Sequence, residues 1–403
     1  MTARAALALP SFRLLFAGRS FSMFGNALAL VAIAFAVLEV TGSATSLGLV
    51  LAARAASELV FLLIGGVVAD RLPRQRVIVG ADLLAGVFQA LAAFLLITGV
   101  IELWQLVVLE ALNGACFAFF LPASTGLIPQ TVPARLLQPA NALLRLSING
   151  SQIVGAGAGG LLVAAVGPGT ALAVDAATFI LSAGCFALLR LSDSPVAVTE
   201  RFLGQLRTGW REFRSRRWLW VIVAQFSLVN AAVNGALFVL GPLIALRELG
   251  GAAPWGLVLA AQSVGFLLGA LLGLRFRPSR PLRAALLGVL LELPLLALLA
   301  LAAPVPLLVA AAIVAGFGVE IFGVQWDTAM QAHIPGEVLS RVSSYDALGS
   351  VVFVPIGLAV AGPLAAEIGI APAIWAATAL VGVATLAALA VAEVRNLPRA
   401  DLG

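Results

Sequence analysis

The chain has 403 residues, 62% of them hydrophobic and 11% charged, with a formal net charge of +5 and a mean hydropathy of +1.08. Soluble domains carry about 25% charged residues, so this composition excludes a water-soluble fold, whose surface it would leave uncovered. All 24 basic residues are arginine, which also excludes a Walker-type phosphate loop and a Schiff-base lysine. No ATP site is visible, so any energy would have to come from a gradient.

The apolar residues form about twelve runs, many near the roughly 20 residues needed to cross a bilayer. In chain order they cover residues 14–39, 46–68, 76–99, 102–124, 140–165, 169–190, 218–246, 253–274, 282–302, 304–326, 343–365 and 370–392. An all-α integral membrane protein is therefore expected. The alternating segments of about ten residues that build a β-barrel are missing. Met1 to Arg13 lead straight into the first run with no small-residue cleavage site, so no removable signal peptide is expected.

A charge at mid-bilayer costs about 2.5–3.5 kcal/mol even on the lenient insertion scale, so polar groups inside the runs are the functional candidates. The first run carries Arg19 and Asn26, and the second carries Arg54 and Glu58, four apart on one helical face. Glu110 lies in the fourth run, and Arg145, Asn149 and Gln152 in the fifth. Asn230 and Asn234 follow in the seventh, Gln262 in the eighth, and Glu320, Gln325 and Trp326 in the tenth. Asp82, Asp175 and Glu292 lie in the third, sixth and ninth. Cys116 and Cys185 are read as buried thiols, and the single histidine, His333, as a solvated loop residue. No metal site, cofactor or enzyme constellation is expected.

Arginines fill every second loop, with Arg71, Arg74 and Arg76 after the second run and six more between Arg201 and Arg217. The opposite loops carry only Arg247, so the basic loops and both termini are expected on the cytoplasmic side of the cell membrane. Charges scattered in this way argue against a nucleic-acid surface. The stretch 191–217 has soluble character and divides the chain into 1–190, a cytoplasmic linker, and 218–403.

The halves resemble each other. Gly48-Leu-Val-Leu-Ala-Ala53 recurs as Gly256-Leu-Val-Leu-Ala-Ala261 at an offset of 208. At an offset of 202, Gly114 matches Gly316, Gly155 matches Gly357, Gly160 matches Gly362 and Gly167 matches Gly369. A parallel repeat of two six-helix bundles is the layout of major facilitator transporters.

The loop after the second run, Gly66-Val-Val-Ala-Asp70-Arg71-Leu-Pro73-Arg74-Gln-Arg76, resembles the loop signature of that superfamily, with Pro73 where a second glycine is usual. Leu121-Pro122-Ala123, Ile128-Pro129, Val132-Pro133, Ala140-Asn141 and Gly155-Ala-Gly-Ala-Gly159-Gly160 follow, then Asp175-Ala-Ala-Thr-Phe179. This run resembles the drug and siderophore exporters related to the enterobactin exporter and the macrolide efflux permeases. The glycine run is similar to the antiporter signature of drug/proton exporters, with Ala156 where proline is expected.

The resemblance implies the major facilitator fold, with twelve helices in two pseudo-symmetric bundles and a midplane cavity lined by spans 1, 2, 4, 5, 7, 8, 10 and 11. It places Glu58, Glu110 and Glu320 on cavity helices, each a candidate for proton or cationic-substrate handling or for a structural ion pair, and leaves Asp82, Asp175 and Glu292 on peripheral helices as packing or cap groups. Arg19 and Arg145 would meet an anionic substrate or pair with Glu110 or Glu320. Gly66, Asp70, Arg71 and Arg74 are implied to form a conformational gate, and Gly155, Gly159 and Gly160 to pack helices. The function implied is proton-coupled efflux of a drug, antibiotic or siderophore by a monomer. The alternatives are import of a small polar solute, or a non-transporting membrane sensor or assembly factor.

Overall fold

A computed structural model describes residues 3–189, 210–273 and 275–399. Among them there is no strand, and twelve helices are long and apolar enough to cross a membrane. They are α1 (Pro10–Thr41), α2 (Ala44–Arg71), α3 (Arg74–Ile97), α4 (Leu103–Thr131), α5 (Ala134–Val166) and α6 (Pro168–Ala187). After the loop come α7 (Arg217–Leu249), α8 (Ala252–Gly273), α9 (Pro281–Ala300), α10 (Val305–His333), α11 (Arg341–Ile368) and α12 (Ile370–Ala390). Most of the 191–217 linker falls outside the described residues.

Local chemistry sets many of the ends. Pro10 and Pro168 stand in the first turns of α1 and α6, where the missing N–H is unneeded. Ser43 caps α2 by accepting from the Ser46 N–H, and Glu102 with Gln105 forms a capping box on α4. The matched glycines Gly167 and Gly369 make the same turn, with φ of +85° and +94°, before α6 and α12. Few residues other than glycine adopt that backbone readily.

The sequence pattern does not announce the irregular helices. α7 winds into π-helical turns at Gly235–Leu240 and Ala245–Leu249. α9 tightens to a 3₁₀ turn at Leu290–Glu292, just before Pro294. The α11 rod breaks between Val351 and Val354, next to Pro355, whose ring cannot donate the helical hydrogen bond.

The helices pack as two compact units, Met1–Val198 with Gly250–Ala260, and Thr199–Leu249 with Ala261–Gly403. Within the first unit, α2 lies along α4, and α6 against α1 and α3. A Cβ built on Gly155 would stand 2.6 Å from the Phe24 carbonyl oxygen, and one on Gly159 2.8 Å from that of Leu28. Both glycines thus let α5 touch the α1 backbone. One on Gly160 would stand 2.6 Å from the carbonyl oxygen of Ala252, at the start of α8. Within the second unit Gly357 of α11 meets the Ala231 carbonyl of α7, the counterpart of the Gly155 contact.

Gln75, in the first turn of α3, has a structural task. Its amide nitrogen donates to the carbonyls of Phe186 and Leu189, both at 2.8 Å, and so caps the end of α6. Gln75→Ala should cost about 1–2 kcal/mol, read as a lower melting temperature, with faster proteolysis near residue 190.

Candidate functional site

The first unit holds a layer of buried polar side chains. Arg54 of α2 is its hub, donating to Glu110 of α4 at 2.8 Å and to the side-chain oxygen of Asn26 of α1 at 2.8 Å. Glu110 is 1% exposed, and its second oxygen has no hydrogen-bond partner. Asn26 donates in turn to the Ser22 carbonyl at 2.9 Å. A guanidinium suits this position because its planar fork serves two acceptors on two helices at once.

Below this hub the layer continues through the helices that sequence reasoning set aside. Asp175 of α6 is 1% exposed, accepts from Thr178 and lies beside Gln89 of α3. Gln89 accepts from Asn113 of α4 at 2.8 Å. Asp82 of α3 is 2% exposed and accepts from Ser182 of α6 at 2.6 Å. Neither aspartate caps a helix; both sit inside their helices and face the bundle interior. Gly25 of α1 has no side chain because Asp175 and Thr178 occupy that space.

The other sequence candidates separate. Glu58 is half-buried beside Arg54 but forms no ion pair with it, since Arg54 reaches across to Glu110. Glu110 is paired with neither Arg19 nor Arg145: Arg19 is buried with its Nε unsatisfied, and Arg145 is exposed. Gln152 is also exposed and Asn149 half-buried. In the gate loop Arg74 donates to the Gly126 carbonyl of α4 at 2.7 Å, and Arg71 is exposed. Gly66 has open space beside it. The side chain of Asp70 lies outside the described residues.

In the second unit the polar layer includes aromatic and amide groups. Trp326 of α10 donates to Asp346 of α11 at 3.0 Å. Phe322 stacks on Phe226 of α7 with ring centres 4.4 Å apart. Both Phe322 and Trp326 are buried, so their contacts are those of packed core groups. Asn230 donates to the Ser350 carbonyl at 2.9 Å, Asn234 to the Asn230 carbonyl at 2.8 Å, and Gln325 to the Phe276 carbonyl at 3.2 Å. Gln262 is buried and Glu320 is half-buried against Gly269 of α8. His333 is not a loop residue: it ends α10, pairs with the Ala329 carbonyl at 3.0 Å and meets the edge of Trp218.

Comparison with known proteins places this architecture. The sequence model of the Major Facilitator Superfamily matches residues 15–345. The chain is 28% identical to the multidrug efflux pump Tap of Mycolicibacterium fortuitum, over 92% of this chain and 91% of Tap. It is 28% identical to the enterobactin exporter EntS of Salmonella paratyphi A, over 98% and 96% of the two chains. It is 24% identical to macrolide efflux protein A of Streptococcus pyogenes, over 65% and 64%. Among solved structures, a mutant of the nucleoside transporter NupG superposes with a TM-score of 0.78 at 13% identity, covering 94% of this chain and 99% of that one. A bacterial homologue of the lysosomal transporter Spinster, inward-facing and unoccupied, gives 0.77 at 14% identity, over 98% of both chains.

Proposed function

The chain belongs to the Major Facilitator Superfamily, and from that premise we propose that it exports hydrophobic or amphipathic small molecules, of the drug, antibiotic or siderophore class, in exchange for protons. The observation that carries the direction of transport is the likeness, along nearly the whole chain, to proteins named for efflux and export. The two halves, 1–190 and 218–403, act as six-helix bundles of an alternating-access transporter, and both termini face the cytoplasm of a cell-membrane protein. Protons suit the inventory of enclosed carboxylates, since a carboxylate shielded from bulk water loads from one side and unloads to the other as its hydration changes.

Of the three cavity glutamates, Glu110 is the best supported as the coupling group, because it is held against Arg54 with one oxygen unsatisfied. A substrate that draws Arg54 off Glu110 would leave both groups unpaired inside the bundle, so the pair and the substrate compete. Glu58 and Glu320 are the secondary candidates.

The test is transport by purified protein in proteoliposomes under an imposed pH gradient, with a panel of fluorescent amphiphiles. Gradient-dependent movement of at least one amphiphile is expected, as is raised tolerance to a toxic compound in a pump-deficient host. Accumulation of a small polar solute instead, with no amphiphile moved, would replace this reading by import.

A further inference from the structure

One cavity in the first unit is not absorbed by the Arg54–Glu110 hub. It has room for a single water-sized occupant, about 10 Å³, and lies among α1, α3, α4 and α6. Its polar lining consists of Ser22, Asn26, Asp82 and Asn113; the rest is alanine, Cys116 and phenylalanine.

The hydrogen bonds around it leave oxygen uncommitted. The Asn26 amide nitrogen is spent on the Ser22 carbonyl, and its oxygen on Arg54. The Asn113 amide nitrogen is spent on Gln89, which leaves the Asn113 side-chain oxygen without a partner. The Ser22 hydroxyl has no partner either. Asp82 receives one hydrogen bond, from Ser182. Ser22, Asp82 and Asn113 are all at least 96% buried. Three helices therefore bring a hydroxyl, a carboxylate and an amide carbonyl to one small cavity.

No cation faces Asp82 among the described residues. Arg54 is committed to Glu110 and Asn26, and the ionisable groups beside Asp82 are another carboxylate, Asp175, and the Cys116 thiol. A buried carboxylate is costly without a counter-charge. Hard oxygen ligands carrying one negative charge match a small monovalent cation. A transition metal would want a richer set, and among the described residues no three His, Cys, Asp or Glu side chains group to hold one.

We propose that Ser22, Asp82 and Asn113 bind a single Na⁺ ion inside the first six-helix bundle. The site joins α1, α3 and α4 directly, and α6 through the Ser182 hydrogen bond to Asp82. This assignment does not depend on the substrate, on the direction of transport or on protons as the coupling ion.

The experiment is thermal melting of the purified full-length protein in detergent at fixed pH, titrating NaCl against choline chloride and KCl at constant total salt. A saturable rise in melting temperature specific to Na⁺ is expected. Asp82→Asn should abolish that increment while the protein stays monodisperse. Ser22→Ala, which removes one neutral ligand, should move the Na⁺ midpoint several-fold higher and leave the plateau in place. Equal melting curves in all three salts would overturn the proposal and leave a water in the cavity. So would a rise as large in KCl, or a Na⁺ increment that survives Asp82→Asn. If Asp82→Asn does not fold, an unchanged Na⁺ midpoint in Ser22→Ala overturns it.

Discussion

Arg54→Ala should lower the stability of the protein by about 3–5 kcal/mol, because it strands Glu110 as a buried, unpaired carboxylate. The loss exceeds that of an ordinary surface ion pair, worth about 0–1 kcal/mol, because Glu110 has almost no access to water. It also frees the Asn26 oxygen, which loses its donor. Glu110→Gln should cost less stability, since an uncharged amide is cheaper to bury and Arg54 retains Asn26. Replacing both members, Arg54→Met with Glu110→Leu, removes the pair's own two charges together and should bring the melting temperature back toward wild type. Transport separates the two roles of the pair. If Glu110 couples ions to substrate, the double variant melts near wild type and does not move amphiphiles against a gradient. Wild-type gradient-driven transport by that variant would make the pair a structural tie.

Much of the fold was legible in the sequence, because its signals are local. Length and hydropathy are enough to find a membrane span, and the twelve expected runs reappear as α1 to α12. The glycine matches at offset 202 reappear as matching geometry: Gly167 and Gly369 turn alike, and Gly155 and Gly357 bring α5 and α11 onto the backbones of α1 and α7.

The site was less legible, since its partners are far apart in sequence. Arg54 and Glu58 share a helical face, yet Arg54 bonds Glu110, 56 residues on, through the packing of α2 on α4. Asp82 and Asp175 were set aside because their helices lie outside the expected cavity. A cue was nonetheless present. Asp82 and Gln89, Glu110 and Asn113, and Asp175, Thr178 and Ser182 are each spaced three, four or seven apart, which aligns them on one face of α3, α4 and α6. Polar faces on three neighbouring apolar helices have somewhere to meet, and here they meet each other. The π-helical turns of α7 left no such trace, because they depend on what packs beside the helix.

The second large effect concerns Gly114 and Gly316, which the repeat pairs. Arg54 and Gln262 directly follow the duplicated Gly-Leu-Val-Leu-Ala-Ala segments. Gly114 of α4 lies against the backbone carbonyl of Arg54, and Gly316 of α10 against that of Gln262, so one close crossing is built twice. In each case the first atom a Cβ would meet is a carbonyl oxygen, which cannot swing aside like a side chain. The helices would have to separate, and in the first unit that movement also pulls Arg54 away from Glu110. Gly114→Ala and Gly316→Ala should each cost more than about 1–3 kcal/mol, the usual penalty for overpacking a core, and the leucine variants should yield little monodisperse protein. Gly150→Ala and Gly323→Ala, with open space at the same atom, are the controls and should melt close to wild type. The two damaging alanine variants should differ in one respect. Gly316→Ala distorts a crossing that carries the neutral Gln262, so its defect is one of packing. Gly114→Ala should additionally impair coupling, measured as gradient-driven transport per folded molecule. Equal transport per folded molecule in the two variants would show that the arginine–glutamate hub tolerates the displacement.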